Sequence, residues 1–106
     1  VNTLKHILFI KMTDKELNTA EAKELFTAIS SLTTPEECKK FFRDLCTLSE
    51  INGMTERFQV AKRILNKESY RSISEATGAS TTTVTRVAHW LHHGMGGYNL
   101  VLKKMK

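Results

Sequence analysis

A chain of 106 residues has room for one domain and a thin hydrophobic core, so its stability can lean on a partner subunit. With 41% hydrophobic and 25% charged residues it is composed as a globular domain, not a disordered one, and one Pro, five Gly and no long alternating β-branched pattern point to an all-α chain. The net charge of +5 is unevenly placed: residues 1–56 carry seven Lys/Arg against nine Asp/Glu, and residues 57–106 carry nine against two, so the second half suggests a polyanionic partner.

The longest apolar run, Ile7 to Ile10, is too short for a membrane span or a signal-peptide core. Cys38 and Cys46 stand eight apart in one expected helix, about 12 Å of rise, which is too far for a mutual disulfide. Both read as buried thiols of a reducing, cytoplasmic compartment, with no membrane partner.

Residues 1–11 look unlike the rest, and Met12 opens a polar stretch that reads like a natural start. Residues 1–17 are therefore expected to be flexible or peripheral, and residues 18–106 to form a single helical domain. A first helix is expected over residues 19–31, with Asn18 and Glu21 at capping-box spacing and Ala22, Leu25, Phe26 and Ile29 on one face. The second starts at Thr34, with Pro35 in the first helical position and Glu37 completing a capping box. Its apolar stripe is Cys38, Phe41, Phe42, Leu45 and Cys46. Thr47 and Glu50 repeat the cap and open a long third helix reaching about Asn66, with Leu48, Ile51, Met54, Phe58, Ala61 and Leu65 as expected buried positions. Gly53 within it costs about 1 kcal/mol relative to Ala.

Residues 70–90, YRSISEATGASTTTVTRVAHW, carry the strongest signal. Ser69 caps a two-turn helix that ends at Gly78, and Ser80 caps a second helix from Thr81 to about His92. Ile73, Ala79, Val84 and Val87 are apolar where a helix-turn-helix buries residues, and Ser74 is small where the two helices approach. The second helix exposes Ser80, Thr81, Thr82, Thr83, Thr85 and Arg86. That run is poor for helix formation but suited to reading DNA, because hydroxyls bond phosphates or base edges and Thr methyls touch thymine. Arg71, Arg86 and Lys67 add positive charge. A helix-turn-helix unit over residues 69–92 in the basic half points to double-stranded DNA. Gly94, Gly96 and Gly97 then break the chain before a short last helix with Tyr98, Val101, Leu102 and Met105 on one face. Six amphipathic helices are many for so small a core, and their apolar faces call for a second copy of the chain.

His89, His92 and His93 cluster at the end of the recognition helix. No zincin pattern accompanies them and the cysteines are not in ligand spacing with them, so no metal is expected; their place at a helix C-terminus is explained by its dipole. No phosphate-cradling loop or nucleophile triad occurs, so neither enzymatic activity nor a cofactor is expected. The rival to a DNA-binding regulator is a helical dimeric interaction module whose basic face binds acidic protein.

The segments ECKKFFRDLCTLSEI, ERFQVAKRIL and TGASTTTVTRV resemble the Trp repressor superfamily, and more narrowly its Trp-repressor-like group common in Gram-positive bacteria. The resemblance covers residues 23–104. It implies a six-helix, intertwined homodimer whose helix-turn-helix units enter successive major grooves, acting as a transcriptional regulator, a repressor, on bacterial DNA. It also implies a DNA-facing set of Tyr70, Arg71, Ser74, Ser80, Thr81, Thr82 and Thr85. Tryptophan-responsive members carry Lys where this chain has Ser74, so one charged contact is missing. Their effector pocket maps onto Thr47, Arg57 and Arg86, but the Gly that follows the second arginine is Val87 here, and the small Ser four residues past it is Trp90. Those two side chains are expected to fill or close the pocket against free L-tryptophan, leaving any other small effector unnamed.

Overall fold

The computed structural model describes residues 14–106, so residues 1–13 of the segment expected to be flexible or peripheral lie outside it. The described chain is helical throughout and groups into two compact units, one ending at Leu45 and the other running from Cys46 to Lys106.

In the first unit a helical turn over residues 14–17 precedes α1 (Ala20–Ser30) and α2 (Pro35–Leu45). The cap of α1 is Thr19, one residue later than the spacing suggested; its hydroxyl accepts from the Ala22 N–H at 3.1 Å. Asn18 is spent elsewhere, because its side-chain amide donates to the Asp14 carbonyl at 2.7 Å and closes the preceding turn. Thr34 caps α2 by accepting from Glu37 N–H at 3.1 Å, as its position before Pro35 predicts. The Glu37 carboxylate instead takes the backbone N–H and hydroxyl of Thr33, at 3.0 and 3.2 Å, so the reciprocal half of the box is shifted back by one residue. Neither helix buries a single residue, and Leu25, Phe26 and Leu45 are exposed.

The second unit contains α3 (Leu48–Leu65), α4 (Tyr70–Thr77), α5 (Thr81–His93) and α6 (Gly97–Lys104). Its core consists of Val60, Ala61, Ile73, Ala79, Val84, Val87 and Leu91, with Ile64 and Tyr98 packed against it. The long helix α3 packs against α4, α5 and α6 and supplies the platform on which α4 and α5 are fixed. The face α3 uses is only partly the expected one, with Ala61 buried as expected and Val60, not on the expected stripe, buried beside it. Leu48 and Leu65 are exposed, and Ile51, Met54 and Phe58 only partly covered. Apolar residues occupy two sides of α3, and the helix-turn-helix takes the side centred on Val60. On α6, Tyr98 and Leu102 are partly covered while Val101 and Met105 stay exposed.

Two chain reversals set the geometry. At the end of α3 the Lys67 N–H donates to the Ile64 carbonyl and the Glu68 N–H to the Arg63 carbonyl, a Schellman closure that places Lys67 at φ 63°. Between α4 and α5, Gly78 adopts φ 78°, the left-handed conformation that a tight turn after a helix requires. The Thr77 hydroxyl donates to the Ile73 carbonyl at 2.7 Å and accepts from the Ala79 N–H at 3.2 Å, so the polar groups of this turn are satisfied as Ala79 enters the core.

Candidate nucleic-acid interface

Ser69 and Ser80 cap α4 and α5 as the sequence predicts, accepting from Ser72 N–H and Thr83 N–H, each at 3.1 Å. The buried stripe Val84, Val87, Ala88 and Leu91 pins α5 to the core and turns its other face outward. On that outward face Thr81, Thr82, Thr85 and Arg86 are exposed. Tyr70 and Arg71 are exposed on the first turn of α4. Tyr70 and Arg71 thus stand at the start of α4 and the Thr-rich edge at the start of α5, on two helices that pack against each other and against α3.

The hydroxyls of the predicted set divide into two kinds. Ser74 is half-buried, and its hydroxyl donates to the Ala79 carbonyl at 2.6 Å, bracing the turn. Ser80 is occupied by its cap and by a 3.1 Å bond to the Thr83 hydroxyl, and Thr85 donates to the Thr81 carbonyl at 2.9 Å. Thr81 and Thr82, on the first turn past the cap, present their side chains to solvent. A hydroxyl that donates internally can still accept, so Thr85 remains able to take a hydrogen bond from a base amino group.

The second predicted constellation is partly assembled. Arg57, Arg86, Val87 and Trp90 line one open cleft of about 460 Å³, together with Gly53, Glu56, Thr83 and Tyr98. Thr47 does not line it. Its hydroxyl accepts from Glu50 N–H at 3.1 Å while its own N–H donates to the Glu50 carboxylate at 2.9 Å, which completes the expected capping box of α3. Those bonds, the backbone one foremost and the hydroxyl second, hold the Glu50 carboxyl below its ordinary pKa. Val87 is 2% exposed, a core residue whose side chain also lines the floor of the cleft. Trp90 is 48% exposed, with His89 edge-on at 5.3 Å between ring centroids; the indole forms a wall of the cleft and leaves the space beside it open.

Sequence reasoning missed Glu56, Thr83 and Tyr98 as cleft residues, and it took Gly53 only as a weak point of the helix. A Cβ at Gly53 would come within 3.2 Å of the Arg57 guanidinium, so the missing side chain makes room for that arginine one turn on. The signal was the i, i+4 spacing of Gly53 and Arg57. His89 and His93 stand 4.9 Å apart between centroids, and no group of three metal-ligating side chains occurs among the described residues. No helix among them is long and apolar enough to cross a membrane.

A capped pair of short helices joined through a left-handed glycine, with its outer face lined by Thr, Tyr and Arg, defines a helix-turn-helix protein. The family model for Trp repressor protein matches residues 20–106, and the chain belongs to that family of DNA-binding regulators. The chain is 40% identical over 91 residues to the uncharacterized protein YerC of Bacillus subtilis (strain 168), covering 86% of this chain and 88% of that one. It is also similar to the crystal structure of a TrpR-like protein from Eubacterium eligens ATCC 27750, with 41% identity, a TM-score of 0.82 and coverage of 86% of this chain and 94% of the other.

Proposed function

We propose that the protein is a sequence-specific transcriptional repressor that binds double-stranded DNA as a homodimer through α4 and α5, in the bacterial cytoplasm and on the nucleoid when DNA-bound. The observation that carries this reading is the start of α5. Three threonines and an arginine (Thr81, Thr82, Thr85 and Arg86) face solvent on α5, and Arg71 is exposed on α4, the helix packed against it, both helices being fixed by caps and buried residues. Thr hydroxyls and an arginine suit phosphates and base edges in the major groove. The homodimer is supported by α1 and α2, which bury nothing within the chain.

The Arg57–Arg86 cleft is the effector site of this reading, and L-tryptophan is not its ligand. Both Val87 and the Trp90 indole line the cleft, at the positions where tryptophan-responsive members have Gly and a small Ser, so the lining differs from theirs at two places. Any effector that binds is a different small molecule. Selection from a pool of random duplexes, run with and without L-tryptophan, tests the proposal. The expected result is one enriched sequence, the same in both arms, whose retention falls steeply with salt. Enrichment only with tryptophan would overturn the corepressor statement. No enriched sequence in either arm would overturn the repressor reading in favour of a protein-interaction module.

A further inference from the structure

The basic second half of the chain contains just two carboxylates, Glu68 and Glu75. Glu68 has a structural partner: its Oε1 lies 2.8 Å from Nη1 of Arg63, in a partly buried pair that spans the reversal between α3 and α4. Glu75 is different. It stands on α4, one turn beyond Arg71, with its Oε1 3.3 Å from the Arg71 Nε, and the two side chains are 69% and 91% exposed.

Helix stability does not explain this second pair. Arg71 stands in the first turn of α4, beside the positive end of the helix dipole, and Glu75 in the last turn, beside the negative end; the first turn has no acidic residue and the last no basic one. Both charges oppose the dipole, and the order Arg before Glu is the less favourable one for an i, i+4 pair. An ion pair this exposed also adds little to folding. What it does alter is the exposed face of α4 that carries Arg71, where a carboxylate repels phosphate and competes for the guanidinium.

We propose that Glu75 is a specificity-determining residue of the DNA-binding face, acting through Arg71. The inference rests on the DNA reading above. In the free protein Glu75 holds the Arg71 guanidinium, so an arbitrary duplex must draw Arg71 from a carboxylate and accept a like charge beside its backbone. A site whose base edges engage α5 seats the protein closely enough for Arg71 to exchange Glu75 for phosphate. Nonspecific binding is thereby weakened more than specific binding.

The test compares wild type, Glu75→Gln, Arg71→Ala and the double variant. Each is titrated by fluorescence anisotropy over a salt series, against a scrambled duplex and against the duplex enriched by selection. Glu75→Gln is expected to tighten the scrambled duplex about three- to ten-fold, from removal of one near-surface like charge. It should steepen the salt slope by about one, because one more phosphate is contacted, and narrow the ratio between selected and scrambled duplexes. In the Arg71→Ala background the gain in slope should vanish. Thermal melting should leave both single variants folded, since both side chains are exposed. Unchanged affinity and slope in Glu75→Gln would overturn the inference, as would a slope gain that persists without Arg71, or an equal loss on both duplexes. Each of these leaves wild-type DNA binding intact. Wild-type protein that retains neither duplex would remove the DNA reading and this inference with it.

Discussion

Lys67 carries the clearest local strain among the described residues. It is the one described non-glycine residue with positive φ, at 63°, and it holds that conformation because the chain must close the end of α3 before Ser69 can cap α4. A side chain there costs about 1–2 kcal/mol, and the greater freedom of Gly in the unfolded chain returns part of that cost. Lys67→Gly is expected to raise stability by about 0.5–1 kcal/mol, read from the midpoint of urea unfolding. A lower midpoint would mean that the stem of Lys67 contributes packing its exposure does not suggest. Ser74 shows the opposite economy at the same scale: a small, half-buried hydroxyl that the family resemblance assigns to the DNA-facing set donates to the Ala79 carbonyl and braces the turn.

Among the elements, α3 and α5 form for different reasons. Thr81, Thr82, Thr83 and Thr85 are weak helix formers, so α5 depends on its Ser80 cap and on the buried stripe from Val84 to Leu91. Helix α3 opens with a full capping box, and that box is sensitive to acid. Glu50 titrates below its ordinary value in the folded chain because Thr47 bonds its ionised form. Its contribution is therefore complete above the ordinary carboxylate range and is lost as pH falls through the lowered value. Glu50→Gln removes that titration while keeping an acceptor for the Thr47 N–H. The melting temperature of the variant should fall less than that of wild type between neutral and acidic pH, and parallel curves would contradict the assignment.

At the scale of the whole molecule, the missing core of the first unit decides what to expect. An isolated amphipathic helix of 11 residues is marginal in water, and α1 and α2 each have that length with no buried residue. Phe26 and Leu25 on α1, and Leu48 and Leu65 on α3, are large apolar side chains left open within one chain. Sedimentation should therefore give twice the 12.1 kDa chain mass, and Phe26→Glu should shift the protein towards monomer with loss of helical signal. A helical, well-folded monomer of wild type would contradict the shared core. The duplex enriched by selection should then be a palindrome with half-sites about one helical turn apart.

The features legible in the amino-acid sequence are those whose partners lie within four residues along the chain. The Thr47–Glu50 box, the Ser69 and Ser80 caps, the Gly78 turn and the buried Ile73, Ala79, Val84 and Val87 follow from hydrogen bonds and periodicity that a helix satisfies locally. The charge contrast between the halves and the Thr-rich edge of α5 were equally plain, because exposure leaves side chains to be read as they stand. Only tertiary packing decided which of two apolar sides of α3 became core, since the sequence presents both and the docking of α4 and α5 covers the one at Val60. Packing also brought Gly53, Glu56, Thr83 and Tyr98 to the cleft with Arg57 and Arg86, from three helices whose approach no local rule encodes. It made Trp90 a wall of that cleft, because the turn of α5 that buries Val87 and Leu91 leaves the residue at position 90 on the rim.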